Sequence, residues 1–281
     1  MARVVTLERV DAAFRGLARV RGIQSRHVHA QEAVVHLLDG DGRGDLPTLV
    51  LQHGLGAGSA SQFVTTMLSA LRDFARVVAI DLPGHGLSEP LATMTSRALY
   101  ASVAEVLDTH TTGPLVLVGN SLGGAMMLEY ALERPERVAR LVLTSPAGAP
   151  ATEEERAELL ALFGMDAEDA AKAFFTRMHP REPVWARLFY DDVRESFAKP
   201  HVRALVDSFR DGAHFDPARL QQHRVPTLLL WGTADRLLPS TMLAWWRTHL
   251  PATFEEPAVG HAPHLDAPRT FYTRLRAFAS T

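Results

Sequence analysis

One serine of this chain has neighbours that could turn its hydroxyl into a nucleophile. Residues 119–124 read G-N-S-L-G-G, so Ser121 is the centre of a G-x-S-x-G pattern. The apolar run 114–118 predicts a strand before the pattern, and residues 125–132 favour a helix after it. A strand–turn–helix of this kind presents a serine Oγ at the end of a sheet, and its glycines permit the sharp turn. The start of the helix offers backbone N–H groups to a developing oxyanion, and we predict the N–H of Leu122 as one donor.

A serine hydroxyl attacks a carbonyl only when a base takes its proton and an acid orients that base. The apolar run that begins at Thr227 predicts a buried strand, and Asp235 lies in the loop after it. His261 follows a predicted last strand over residues 253–259. In a parallel sheet, the loops after these two strands open at the same edge as the turn of the serine. We therefore predict Ser121 as the nucleophile, His261 as the general base and Asp235 as the orienting acid.

Four further segments resemble the α/β-hydrolase family of the Ser-His-Asp type. Residues 53–56 (H-G-L-G) are similar to its oxyanion loop, and residues 81–88 (D-L-P-G-H-G-L-S) to its DxPGHGxS loop. Residues 134–143 match the turn and strand after the nucleophile helix, and residues 260–268 match the GHxPHxExP signature with Asp266 in place of Glu. The resemblance covers nearly the whole chain.

The resemblance also implies roles for individual residues. It makes the backbone N–H of Leu55 the second oxyanion donor. It favours His261, the first histidine of the signature, over His264 as the base. Asp81 and Asp266 are rival acids, but neither follows the penultimate strand, and Asp266 resembles the N-cap of the last helix.

The order of predicted elements favours an α/β fold. After one helix and two early strands, strands and helices alternate from Thr48 onwards, which predicts a mostly parallel central sheet with helices on both faces. The alternation then breaks over a long helical stretch, which the resemblance identifies as a cap, or lid, over the active site. We predict an α/β-hydrolase core over residues 1–146 and 226–281, and a helical cap over residues 147–225, inserted after the sixth strand.

The predicted cap is rich in aromatic residues, and two interpretations apply to them. Large aromatic side chains dominate protein cores, so these rings would pack the cap onto the main domain. Some would instead line an apolar acyl pocket. We predict Phe174, Trp185 and Phe189 as pocket residues.

Composition limits the classes of function. The 281 residues are 47% hydrophobic and 22% charged, with a net charge of −3, so nucleic acid is not an expected partner. The chain has no cysteine, which excludes disulfides and thiolate metal sites. No stretch approaches the ~20 apolar residues of a membrane span. We expect a cytoplasmic protein that needs no metal or organic cofactor and acts on a small-molecule ester; a homodimer is left open.

These features favour a serine hydrolase of carboxylic esters or lactones. The rival is hydrolysis of C–C bonds in aromatic ring-cleavage products, whose enzymes have a similar elbow but typically carry Trp after the catalytic histidine, where this chain has Ala262. Perhydrolases of the serine haloperoxidase type usually have an aromatic residue and Pro after His-Gly; Leu55 and Gly56 stand there. Dehalogenases and epoxide hydrolases use Asp at the elbow, so Ser121 excludes them. A ligand receptor on the same scaffold is the non-enzymatic alternative.

Overall fold

A computed structural model describes residues 5–56, 58–163, 168–210 and 214–281. In these residues an eight-stranded sheet has the order β1-β2-β4-β3-β5-β6-β7-β8. The strands are β1 Gln24–Ala30, β2 Ala33–Asp41, β3 Thr48–Gln52, β4 Arg76–Ile80, β5 Leu115–Asn120, β6 Val138–Thr144, β7 Thr227–Leu230 and β8 Thr253–Glu255. β2 pairs antiparallel with β1 and β4, and every later pair is parallel. The predicted mostly parallel sheet is confirmed.

Helices cover both faces of the sheet. They are α1 Leu7–Val20, α2 Val64–Ala70, α3 Ser96–His110, α4 Leu122–Glu133, α5 Glu153–Phe163, α6 Glu168–Met178, α7 Tyr190–Ala198, α8 Pro200–Asp207, α9 Pro217–Leu220, α10 Ser240–His249, α11 Pro263–Asp266 and α12 Pro268–Ala279. No helix within the described ranges combines the length and the apolar character needed to cross a bilayer.

The sheet separates two buried apolar clusters. One packs α3, α4 and α10 against the sheet, and the other packs α1, α2 and α12. In β5, Leu115 and Leu117 belong to the first cluster, whereas Val116 and Val118 belong to the second. Successive side chains of a strand point to opposite faces, so a central strand must be apolar throughout. This explains why residues 115–118 of β5 are all apolar.

The helices α5 to α9 lie in the long connection between β6 and β7, which we call the insertion (residues 147–225). A 3₁₀ helix, Val184–Phe189, precedes α7. A third apolar cluster lies here, containing among others Phe163, Phe174, Phe189 and Phe197, and it includes Leu237 from the loop after β7. Residues 164–167 and 211–213 lie outside the described residues, and the division into core and cap stays a prediction.

Two predicted elements differ from the structure. The last strand was predicted over residues 253–259, but β8 ends at Glu255. Pro257 has no N–H to donate to a strand ladder, and its carbonyl instead accepts from Thr233 N in the loop after β7. The alternation of strands and helices also predicts a helix near residues 59–73. In the structure this segment begins as the 3₁₀ turn Ala60–Phe63 and continues as α2 only to Ala70.

Candidate active site

Ser121 alone forms the turn between β5 and α4. Its backbone has φ 54° and ψ −120°, a region that non-glycine residues rarely occupy. The surrounding hydrogen bonds hold it there: its N–H donates to Thr144 O at 3.0 Å, and its carbonyl accepts from Ala125 N at 3.1 Å and Ala147 N at 3.0 Å. Backbone strain that is fixed in this way is typical of functional sites.

The two glycines of the pattern are required by close backbone contacts. A Cβ on Gly119 would lie 2.4 Å from Gly123 O, and a Cβ on Gly123 would lie 2.4 Å from His53 O. Real Cβ atoms do not approach backbone oxygens that closely. Only glycine therefore allows the start of α4 to pack against the ends of β3 and β5, which leaves Ser121 at the tip of the turn.

The structure brings His261 and Asp235 together. His261 Nδ1 lies 2.8 Å from Asp235 Oδ2, and the two side chains are 2% and 0% exposed. Asp235 Oδ1 also accepts from Leu237 N at 2.9 Å and Leu238 N at 3.2 Å. Burial acts to raise the pKa of Asp235, but the charge of His261 and the hydrogen bonds to the carboxylate outweigh it and hold that pKa below its usual value. Asp235 is therefore ionised and can orient the imidazole.

The second ring nitrogen of His261 is unused. Nε2 is buried and has no hydrogen-bond partner in the described part of the chain. No hydrogen bond therefore joins it to Ser121 Oγ, and such bonds often form only once a substrate is bound. A buried nitrogen without a partner is costly unless a ligand or a reacting group supplies one.

Asn120 connects the loop of His261 to the strand that ends at the serine. Its Nδ2 donates to His261 O at 3.0 Å, to Thr144 O at 3.1 Å and to Thr144 Oγ1 at 3.0 Å. The side chain is buried. Sequence reasoning missed this residue because it occupies a variable position of the G-x-S-x-G pattern. A polar amide at the end of an apolar strand was the signal that could have identified it.

Both predicted oxyanion donors lie beside the serine turn. Leu122 is the first residue of α4, and Gly54, which precedes Leu55, contacts Ser121: a Cβ on Gly54 would be 2.9 Å from Ser121 Cβ. Neither the Leu55 N–H nor the Leu122 N–H donates to a backbone carbonyl among the described residues. Their role as oxyanion donors stays a prediction.

His53 fixes the peptide group that carries the Leu55 N–H. His53 Nδ1 donates to Gly54 O at 2.7 Å, and its Nε2 accepts from Leu82 N at 3.0 Å. The ring is neutral with a defined tautomer, because burial lowers the pKa of His53 despite the nearby Asp81. In a trans peptide the C=O and N–H point in opposite directions, so holding Gly54 O also sets the direction of the Leu55 N–H.

The rival residues have other partners. Asp81 is held by His36 Nδ1 at 2.8 Å and by backbone N–H groups, and within the described residues it makes no hydrogen bond to His261. His264 Nε2 lies 2.8 Å from Gln62 Oε1. Burial, and after it the electrostatic effect of the nearby His261, lower the pKa of His264 to about 3, which makes it a poor base near neutral pH.

The predicted helix-capping role of Asp266 is wrong. The N-cap of α12 is Ala267, which makes no side-chain capping bond. The carboxylate of Asp266 instead accepts from Gly260 N at 2.7 Å and lies 2.6 Å from His179 Nδ1. Residues 263–266 form the short helix α11, which turns the Asp266 side chain back towards the loop of His261.

Comparison with known proteins identifies the family. A family model described as alpha/beta hydrolase fold matches residues 47–268. This chain is an α/β hydrolase. Both the family resemblance and the fold class that the sequence predicts are confirmed.

Relatives of this hydrolase carry different names. It is 33% identical to the 2-hydroxy-6-oxononadienedioate/2-hydroxy-6-oxononatrienedioate hydrolase of Burkholderia vietnamiensis, over 68% of this chain and 72% of that protein. It is 30% identical to the proposed carbamate hydrolase RutD of Pseudomonas syringae, over 84% and 95% of the two chains. Among solved structures, a membrane phospholipase A superposes with a TM-score of 0.80 and 26% identity, over 98% of this chain and 90% of that one.

The insertion contacts the predicted oxyanion loop (residues 53–56) through two phenylalanine rings. A Cβ on Gly56 would lie 3.4 Å from Phe197 Cζ and 3.7 Å from Phe174 Cζ, and the two rings pack edge to face. Of the three predicted pocket residues, Phe174 therefore lies next to the predicted oxyanion donor Leu55. Phe197 was not singled out from the sequence.

The other two predicted pocket residues lie elsewhere in the insertion. Phe189 is buried in the apolar cluster of the insertion. Trp185 is 48% exposed and packs its ring edge-on against Phe175 and Phe189. An acyl pocket lined by these residues stays a prediction, with Phe174 the best placed of them.

Proposed function

We propose that this hydrolase cleaves a carboxylic ester or lactone through an acyl-enzyme on Ser121, with His261 as the general base and Asp235 as the orienting acid. One observation carries the proposal. The imidazole of His261 is bonded to an ionised carboxylate at Nδ1, and its Nε2 has no hydrogen-bond partner among the described residues. The backbone carbonyl of His261 accepts from Asn120, which joins its loop to the turn that presents Ser121.

The proposed reaction uses only groups of this chain and water. His261 Nε2 accepts the proton of Ser121 as Oγ bonds to the carbonyl carbon. The oxyanion accepts hydrogen bonds from the Leu55 and Leu122 N–H groups. His261 then returns the proton to the leaving alcohol, which breaks the ester bond and leaves the acyl group on Ser121. Water, deprotonated by His261, attacks the acyl carbon and releases the acid and the serine.

The apolar surroundings support an ester with a hydrocarbon acyl chain. Phe174 and Phe197 face the oxyanion loop, and Leu55 packs against the same cluster. A neutral acyl chain gains free energy from such a wall. A substrate with carboxylate groups would lose hydration there unless cationic groups replaced it.

Hydrolysis of a C–C bond is the second candidate. The observation that favours it is the 33% identity to the nonadienedioate hydrolase. The name of that relative describes a dicarboxylate substrate, which fits the apolar surface formed by Phe174 and Phe197 less well than a neutral acyl chain does.

We propose a cytoplasmic location as well, since a chain without cysteine suits a reducing compartment.

A substrate panel tests the proposal. We would measure kcat/KM for p-nitrophenyl acyl esters of increasing chain length, a lactone, an aryl carbamate and a ring-cleavage dienoate, with Ser121→Ala as the blank. The proposal expects an acyl ester or lactone to have the highest kcat/KM. A dienoate or carbamate that exceeds every ester by about tenfold, or about 1.4 kcal/mol in transition-state stabilisation, would assign the enzyme to that class instead.

A further inference from the structure

The C-terminal end of α6 is bonded directly to both predicted catalytic loops. The N–H of His261 donates to Met178 O at 2.7 Å, and the N–H of Arg236, next to the predicted acid, donates to Arg177 O at 3.0 Å. The contact is so close that a Cβ on Gly260 would lie 2.1 Å from Met178 O. The loops of the acid and the base are thus built against the insertion.

Arg236 strengthens the same junction with its side chain. Its Nη2 donates to Thr176 O at 2.7 Å, and it also reaches His179 O at 3.2 Å and Pro180 O at 3.4 Å. The last carbonyls of a helix have no partner within the helix and carry partial negative charge, so a guanidinium there is stabilising.

A largely buried carboxylate completes the junction. Asp266 Oδ1 lies 2.6 Å from His179 Nδ1, in the insertion, and Asp266 Oδ2 accepts from the N–H of Gly260 at 2.7 Å. The side chains of His179 and Asp266 are 7% and 11% exposed. The His179 ring also stacks on Phe175 and meets the edge of Trp185. One carboxylate therefore joins the insertion to the residue immediately before the base.

We propose that Asp266 and His179 are positioning residues for the catalytic base. The insertion, through His179, holds the Asp266 carboxylate, and the carboxylate holds the Gly260–His261 backbone so that the imidazole faces Ser121. The inference rests on the proposed function in one respect, that His261 is the base. Glycine is the most flexible residue in a chain, so without this acceptor the loop loses one of the bonds that restrict it, at the residue directly before the base.

The rate of the reaction at Ser121 is sensitive to the loss of this hydrogen bond. A displacement of the base by about 1 Å can cost on the order of a hundredfold in rate, because proton transfer requires aligned atoms. The same helix α6 carries Phe174 against the oxyanion loop and Met178 against the loop of the base. The insertion therefore takes part in aligning the reacting groups.

Four variants distinguish an effect on the position of His261 from an effect on the stability of the fold. Asp266→Ala removes both bonds, and Asp266→Glu keeps a carboxylate. His179→Phe removes the bond to Asp266 but keeps a ring against Phe175 and Trp185. Asp207→Ala, which breaks an exposed ion pair with Arg210 in the insertion, is the matched control.

Three measurements apply to each variant: the second-order rate of phosphonylation of Ser121 by a fluorophosphonate, kcat and KM for an acyl ester, and backbone hydrogen exchange over residues 258–262. For Asp266→Ala we expect phosphonylation and kcat to fall by about tenfold or more, with KM nearly unchanged and faster exchange at Gly260 and His261. Asp266→Glu should recover much of the loss, His179→Phe should lose activity in the same direction, and Asp207→Ala should match wild type.

The outcomes are distinguishable. If folded Asp266→Ala phosphonylates within about twofold of wild type, the positioning role is wrong, whatever its melting temperature. If Asp266→Ala does not fold, His179→Phe decides by the same criterion. A wild-type enzyme that reacts with the phosphonate but hydrolyses no ester would overturn the proposed function, while the phosphonylation rates would still test the positioning role.

Discussion

Asn120 Nδ2 donates to the carbonyl of His261 at 3.0 Å, although the two residues are 141 positions apart in the chain. Asn120 directly precedes Ser121, so this bond joins the turn of the predicted nucleophile to the loop of the predicted base. The same amide also binds Thr144 O and Thr144 Oγ1. A single buried side chain thus joins the ends of β5 and β6 to the loop of His261 at one edge of the sheet.

Replacing Asn120 with alanine should lower kcat more than it changes KM. The loop of His261 would lose one of its anchors, and misalignment of about 1 Å can cost on the order of a hundredfold in rate. Leaving the His261 carbonyl without its hydrogen bond should also cost about 1–3 kcal/mol of unfolding free energy. Steady-state kinetics and denaturant unfolding measure both. Thr144→Val, which removes one partner of Asn120 without touching His261, is the control, and an Asn120→Ala variant with unchanged kcat would show that the bond is dispensable.

His53 should be replaceable by asparagine but not by glutamine. The asparagine Nδ2 is close to the position of imidazole Nδ1, which donates to Gly54 O, whereas the glutamine amide reaches only the position of Nε2. If His53 aims the Leu55 N–H at the oxyanion, His53→Gln should lose up to roughly a hundredfold in kcat and His53→Asn much less. Equal kcat values for the two variants would mean that His53 only fills space. The comparison needs melting temperatures alongside the rates.

The hydrolase should lose stability in mild acid. The pKa values of His85 and His264 are both lowered to about 3, chiefly by burial. In the unfolded chain a histidine titrates near pH 6.5, so between these values the unfolded state binds more protons and stability falls as pH falls. Each histidine should remove roughly 1 kcal/mol of unfolding free energy per pH unit between about pH 6.5 and pH 4.5, above the range where carboxylates titrate.

His264→Gln tests this origin of the acid lability. Removing the His264 ring should flatten the pH dependence of the unfolding free energy by roughly 1 kcal/mol per pH unit. Urea unfolding at a series of pH values gives the slope for each protein. An identical slope in wild type and variant would show that other groups cause the acid lability.

The sequence predicted the site best where chemistry restricts the backbone. Gly119 and Gly123 flank the serine because a Cβ at either position would meet a backbone oxygen, and such constraints remain visible as a pattern. Asp235 and His261 were also predictable, because the loops after neighbouring parallel strands meet at one edge of the sheet.

The contacts that connect the insertion to the site were not predictable. Most acceptors at the end of α6 are backbone carbonyls, which have no residue signature, and His179 and Asp266 are 87 positions apart. The sequence around Asp266 is typical of a helix N-cap, but its carboxylate binds Gly260 N and His179 instead. Trp185 stays a predicted pocket residue; the sequence could not show that nearly half of its surface is exposed, because exposure depends on how the insertion packs.

Phe174 and Trp185 should respond differently to truncation. Phe174 lies against the oxyanion loop, so Phe174→Ala should shift the ratio of decanoate to butyrate hydrolysis by about tenfold, since each methylene in an apolar pocket is worth about 1–3 kcal/mol. Trp185→Ala should leave that ratio unchanged and lower only the melting temperature. If neither variant changes the ratio, these rings only stabilise the insertion.

The measurement that tests the central claim most directly is the rate of ester hydrolysis by Ser121→Ala. Wild type and variant would be compared on p-nitrophenyl butyrate at equal concentration, with circular dichroism to confirm that both are folded. The assignment of Ser121 as the nucleophile predicts that kcat falls by roughly 10⁵–10⁶-fold, as expected when the attacking oxygen of a serine hydrolase is removed. A folded Ser121→Ala protein that keeps kcat within about tenfold of wild type would contradict it.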